Sequence, residues 1–279
     1  MKRRGKILIR RCEKFILLVQ RVPVWVWLTG ITLVSFLLKL LSWHFDPEVS
    51  RDGCLYIYFS QIWYDTGSFQ GVINEWESFW LPPLPLYLIK SIMHTGLSAE
   101  IAGVLLNLAA GTVTPILTYI IAYETTQRKD ISLCSALLIT VHPAMNALSV
   151  EVQRDMIYLF FAGVTLCLLT AGVRRQKWSL WCWAGLACSC AMLTRFETAE
   201  FLVIVPLSLL LLLIRKTFSW KKAVCYAGLF FLCFSGGLFA LSYLMQTQNY
   251  LIGSYERYYS QKTSLVKEQV IHDFEEPEN

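Results

Sequence analysis

The stretch LPPLPLYLIKSIMHTGL, residues 81–97, decides the fold, because whether it crosses a membrane sets the side on which every later loop lies. It is apolar but short of the about twenty residues a crossing needs, contains Pro82, Pro83 and Pro85, and carries Lys90 and His94. Around it stand seven runs apolar enough to span, at 22–43, 99–123, 131–148, 156–173, 178–193, 198–214 and 222–245. If 81–97 does not span, Arg128, Lys129, Arg174, Arg175, Lys177, Arg215, Lys216, Lys221 and Lys222 share one side with the eight bases that precede Val22. The short loops opposite then hold only Arg154 and Arg195. If it spans, those nine bases change sides. The positive-inside rule therefore makes the basic side cytoplasmic and makes 81–97 a helix that lies at the outer interface or re-enters.

The composition agrees with this layout. Of 279 residues 55% are apolar and 16% charged, with a mean hydropathy of +0.47, whereas soluble domains carry roughly 25% charged residues. A soluble doubly wound fold and a disordered chain are excluded. The expected fold is an all-α polytopic membrane protein with about seven transmembrane helices plus interfacial helices in the first outer loop. A basic cytoplasmic N-terminus occupies 1–21, the transmembrane domain 22–245 with its first outer loop at 44–98, and an outer or luminal tail 246–279. No small-residue cleavage site follows the first span, so it is expected to stay. The net charge of +5 reads as orientation signal and contact with anionic head groups, with no nucleic-acid partner. Most of the nine cysteines fall inside apolar segments, where they act as small hydrophobes, and no CxxC occurs. The absence of an Asn-x-Ser/Thr acceptor disfavours a glycosylated secretory-pathway protein without deciding the host; a bacterial inner membrane is the expected location and the endoplasmic reticulum the alternative.

Charge inside a bilayer is costly and tends to mark function. Lys39, within the first span, reads as a snorkelling lysine. The remaining charges gather on the outer face, in three loops: Asp46, Glu48, Arg51, Asp52, Asp65, Glu75 and Glu77; Glu151, Arg154 and Asp155; Arg195, Glu197 and Glu200. A transporter is expected to place ionisable groups near the midplane on broken, repeated helices. The pattern here is a polar cavity on top of a helical bundle, reached laterally by lipid. Its most informative stretch is Ser50-Arg51-Asp52-Gly53-Cys54-Leu55-Tyr56-Ile57-Tyr58. Asp52 can accept a proton or hold a metal, and Gly53 allows a turn or a close backbone approach. Equally, Asp52 can be the N-cap of an interfacial helix that starts there.

The order of these features resembles the GT-C class of integral-membrane glycosyltransferases, in particular the family 39 type of protein O-mannosyltransferases and bacterial lipid A aminoarabinose transferases. The resemblance covers residues 22–215. It rests on Arg51-Asp52-Gly53 with following tyrosines, Pro82-Pro83-Leu84 running to Tyr87, Arg154-Asp155 opening a span, and Leu193-Thr194-Arg195 closing one. It implies transfer of a sugar from a polyprenyl-phosphate donor to a hydroxyl acceptor on a protein, lipid or glycan, on the outer face and with inversion. Asp52 matches the family's general base and Asp155 its second-loop aspartate. Arg51, Arg154, Arg195, Lys90 and Tyr56 are the candidate substrate and phosphate contacts, since a departing lipid phosphate needs a cationic clamp.

Two departures from the family stand out. Where relatives carry lysine or histidine just before Pro-Pro, this chain has Trp80 and Leu81; Lys90 is the candidate substitute, against a plainer reading as a snorkelling side chain. Members also run to more spans and a soluble outer domain. No cofactor is required by this chemistry, although a divalent cation held by Asp52, Glu75, Glu77, Asp155 and His44 is the alternative. Arg195 has a plainer reading too, a bridge to Glu197 or Glu200, and Asp155 one as a helix cap. His142, beside Pro143, reads as a hydrogen-bonded core histidine, and the tryptophans, Trp63 among them, as interface markers. A flippase for a lipid-linked sugar and a catalytically silent, truncated relative are the alternative functions.

Overall fold

The structure, a computed structural model, describes residues 22–45, 47, 49–75 and 81–247. Among these, every regular element is helical. A first long helix α1 (Val24–Phe45) leads to three helices of the first loop, α2 (Arg51–Thr66), α3 (Phe69–Glu75) and α4 (Pro83–Met93). There follow α5 (Ala99–Thr126), α6 (Lys129–Val141), α7 (Pro143–Leu148), α8 (Arg154–Arg175) and α9 (Trp178–Met192). A 3-10 turn, Phe196–Ala199, then opens α10 (Glu200–Ile214), and α11 (Trp220–Leu244) ends the described bundle.

Five stretches are long and apolar enough to cross a membrane on their own: Val24–Phe45, Ala99–Thr126, Arg154–Arg175, Phe196–Ile214 and Trp220–Leu244. The protein is thus an all-α polytopic membrane protein. The other two expected crossings correspond to shorter pieces, and contacts at the two ends of the bundle show that these pieces run from one end to the other. Arg174 and Arg175, at the end of α8, both pair with Glu124 at the end of α5. Since α5 and α8 finish at the same end, the chain between them has to run back. It does so through α6 and α7, which the sequence pattern reads as one span over 131–148; the structure breaks it at His142. Pro143 has no N–H to donate and disfavours helical geometry in the residue before it, and His142 takes φ −70°, ψ 120°. His142 is exposed at this break, not buried as a core histidine.

Helix α9 is only 15 residues long, yet it too crosses the bundle. Beyond its start, Lys222 Nζ and Tyr226 Oη donate to Gln176, at 2.8 and 2.7 Å, beside the Arg174–Arg175 end. Beyond its finish, Arg195 reaches Asp155 at the opposite end of α8. Helix α9 sits between α8 and α11, and small residues let it approach closely. A Cβ on Gly185 would stand 2.4 Å from the carbonyl oxygen of Phe230 on α11, and one on Gly237 2.5 Å from Ser189 Oγ.

Residues 81–97 hold no helix of spanning length. Helix α4 has 11 residues and is packed among the first-loop helices, where Phe59, Trp63, Phe69, Leu86, Ile89 and Met93 form one buried cluster with Val152 and Leu193. Trp63, expected at an interface, is 2% exposed and lies edge-on to Phe69 at 4.7 Å in that cluster. Lys39 does not snorkel. It is 1% exposed, and its ammonium donates to Ser35 Oγ at 2.8 Å and to Asn146 Oδ1 at 3.1 Å. Asn146 in turn donates to the carbonyl of Thr140, one of the acceptors freed where α6 gives way to α7. The basic N-terminus and the tail beyond Thr247 lie outside the described residues.

Candidate active site

The end of the bundle opposite Arg174 and Arg175 collects the helix starts of α2, α4 and α8 and the corner after α9. Orphan backbone groups at those ends tie the pieces together. Leu84 N–H, in the first turn of α4, donates to the carbonyl of Leu193, just past α9, at 3.3 Å. The prolines at 83 and 85 suit that first turn because a missing N–H there goes unneeded. The second outer loop binds the foot of α2: Gln153 Nε2 donates to Ser50 Oγ at 2.9 Å and to Glu151 Oε2 at 2.5 Å. Beneath it, buried Asn107 donates to the carbonyl of Glu151 at 2.7 Å. Gly53 permits the close approach: a Cβ there would fall 2.8 Å from Val49 Cγ1 and 3.2 Å from the carbonyl oxygen of Val152.

Ser50, not Asp52, caps α2. Its hydroxyl oxygen accepts from the N–H of Gly53 at 3.2 Å. Asp52 stands exposed in the first helical turn. Among the described residues it has no hydrogen-bond or ion-pair partner. One turn further along α2, buried Tyr56 links the constellation. Burial pushes its phenol well above the ordinary tyrosine range, and the charges acting on it are Arg154, Asp155, Asp52 and Arg195. Five of the residues singled out in the sequence, from three separate outer loops, therefore share one electrostatic neighbourhood.

Arg195 is the hub of the charged part. It donates from one terminal nitrogen to Asp155 Oδ1 at 2.5 Å, and from Nε and the other terminal nitrogen to the two oxygens of Glu197 at 3.2 and 3.1 Å. The expected bridge to Glu197 is present, and a second carboxylate from α8 joins it. Glu197 hydrogen bonding, ahead of the other effects, holds the guanidinium firmly protonated. The guanidinium carbon also lies 5.6 Å from the ring centre of Tyr158. Of the five N–H groups of an arginine, three are engaged here and two are left for an incoming anion. Gln153 occupies the N-cap position of α8 without a side-chain capping bond, and the Asp155 carboxylate, in the first turn, accepts from Arg195. Arg154 acts on both Tyr56 and Glu197. Arg51 lies exposed next to Asp52.

The remaining candidates are elsewhere. Lys90 stands 5.3 Å from the ring centre of Trp63, eleven residues along α2 from Asp52, or about 16 Å at the helical rise; burial lowers its pKa. As a replacement for the missing residue before Pro-Pro it is therefore misplaced. His44, against the Phe45 ring at 5.5 Å, and Glu75 are exposed at the ends of α1 and α3. Glu77 lies outside the described residues. Among the described residues no three His, Cys, Asp or Glu side chains converge as a metal would require, so the set Asp52, Glu75, Asp155 and His44 is not assembled.

Three participants escaped the sequence reading. Ser50, Gln153 and Asn107 carry no charge, and only the folded loop shows that they tie the second outer loop to the foot of α2 and to α5. Ser50 alone had a legible signal, as a good N-cap residue three positions before Gly53.

A family model described as dolichyl-phosphate-mannose-protein mannosyltransferase matches residues 81–239. The match covers more than half of the chain and includes Arg154, Asp155 and Arg195, while Asp52 and Tyr56 precede it. No curated protein and no solved structure matches.

Proposed function

The chain belongs to the dolichyl-phosphate-mannose-protein mannosyltransferase family, and from that premise we propose that it transfers a sugar from a polyprenyl-phosphate carrier to a hydroxyl acceptor on the outer face of its membrane. Membership brings membrane glycosyltransferase activity in general, of the GT-C type. The observation that carries the finer reading is the gathering of Asp52, Tyr56, Arg154, Asp155 and Arg195 around one end of the bundle. In this reading the basic end faces the cytoplasm.

The chemistry follows from the geometry. Asp52, exposed and without a partner among the described residues, takes the proton of the acceptor hydroxyl as its oxygen attacks the anomeric carbon. The bond from that carbon to the carrier phosphate breaks on the opposite face, which inverts the configuration, and the lipid phosphate departs as an anion. Arg195, with two N–H groups to spare, and Arg154 stabilise that developing charge. Asp155 fixes the guanidinium against α8 and acts as a positioning residue. A protein side-chain hydroxyl is the acceptor that the family's description supports.

The test is a reconstitution of the full chain in vesicles containing polyprenyl-phosphate-linked mannose and a hydroxyl-bearing peptide. Covalent attachment of the sugar to the peptide, in the inverted configuration, is the expected product. Movement of the donor between leaflets without attachment would identify a flippase instead.

A further inference from the structure

At the basic end, far from Asp52, helices α8, α9 and α10 leave a cavity of about 360 Å³ between them, within the size range of small-molecule sites. Leu169, Val173 and Val205 form its inner wall. The principal neighbours of α10 are α11 and the 3-10 turn, not α8, so the cavity opens sideways where a bilayer would lie. There its lining residues Leu166 and Ile204 are 38% and 44% exposed.

The polar part of the lining has a distinct character. Arg174, 39% exposed, borders the cavity together with Glu124, and Arg175 shares the same carboxylate. Two guanidinium groups on one acid leave a net positive charge. Nine lysines and arginines lie at this end against Glu124 and Asp130 alone, counted among the described residues. Ser208, on the cavity wall, presents a hydroxyl with no partner among the described residues in an otherwise apolar run. An apolar slot open to lipid, crowned by surplus arginine charge at head-group height, matches a molecule with an acyl chain and an anionic phosphate.

We propose that this cavity binds one anionic glycerophospholipid from the leaflet at the basic end, with an acyl chain between α8 and α10 and its phosphate against Arg174 and Arg175. The site is separate from the sugar-transfer site and stands whether or not that reading holds. The lipid completes the packing of α10, which has few protein neighbours of its own.

Native mass spectrometry of the full chain, purified in mild detergent and incubated with equal amounts of phosphatidylglycerol and phosphatidylcholine, tests it. One phosphatidylglycerol per chain is expected, retained about tenfold over phosphatidylcholine. Ser208→Phe puts a ring into the slot without touching an ion pair and abolishes the adduct, while thermal unfolding in lipid-free detergent matches that of the unchanged chain. Arg175→Gln, which leaves Arg174 on Glu124, keeps the adduct but removes most of the preference. Equal retention of the two lipids, detergent as the sole occupant, or an undiminished adduct in Ser208→Phe overturns the proposal.

Discussion

Asp52 and Ser50 are two residues apart, and both are good cap formers, so the sequence leaves open which of them ends up holding the helix and which is free. The structure gives the cap to Ser50 and leaves the carboxylate of Asp52 without a partner among the described residues. The consequence is measurable by denaturation of the purified protein. Ser50→Ala removes the cap and the acceptor of Gln153 together and costs about 1–2 kcal/mol. Asp52→Asn costs only the smaller dipole contribution, about 0.3–0.5 kcal/mol. A stability loss from Asp52→Asn as large as that from Ser50→Ala would return Asp52 to a structural role. Arg195 shows the same limit in another form. Its bridge to Glu197 is local and legible, because the two are neighbours in the chain. Its bond to Asp155 spans forty residues and depends on where α8 and α9 start and stop.

At the scale of elements, the apolar runs announce themselves because twenty consecutive apolar residues have few other uses, and all five long helices begin within about two residues of where hydropathy places them. What hydropathy cannot convey is the break within 131–148, where Pro143 interrupts an apolar run that reads as continuous. Nor can it convey that Lys39 is buried, since a lysine six residues from a helix end has both options. Its partner is Asn146, a residue that the helix break positions. Asn146→Ala leaves the buried ammonium with Ser35 alone and is expected to cost about 1–3 kcal/mol, while Asn146→Ala combined with Lys39→Met recovers part of that loss. A double-mutant cycle on thermal or denaturant unfolding reads the coupling directly; strict additivity would sever the pair. Gly185→Ala makes the complementary case on α9. Because the new methyl meets the backbone of α11 and not a flexible side chain, it is expected to destabilise by about 1–3 kcal/mol despite the better helix propensity of alanine.

Across the whole molecule, one-sided charge is the feature that makes the architecture readable before any packing is known. Arginines and lysines at 128–129, 174–177 and 215–222 share an end of the bundle, and Asp52, Asp155 and Glu197, from the other three loops, share the opposite end. That opposition locates the candidate site without fixing which residues touch. The orientation itself has a direct test. Cys54, exposed on α2 two residues from Asp52, is expected to react with a membrane-impermeant maleimide from the outside of intact cells. A cysteine placed by Lys177→Cys is expected to react only after permeabilisation, with peptide mapping to separate the sites. Reversed labelling would place the sugar-transfer end in the cytoplasm.

The central claim is that Asp52 removes the acceptor proton during sugar transfer. The measurement that tests it most directly is kcat/KM for transfer from polyprenyl-phosphate-linked mannose by the purified full chain and by its Asp52→Asn variant, matched for folding by thermal unfolding. The account predicts a loss of at least about a hundredfold, the usual scale for removing a positioned base, carried mainly by kcat. Transfer at an undiminished rate in the folded variant would contradict it.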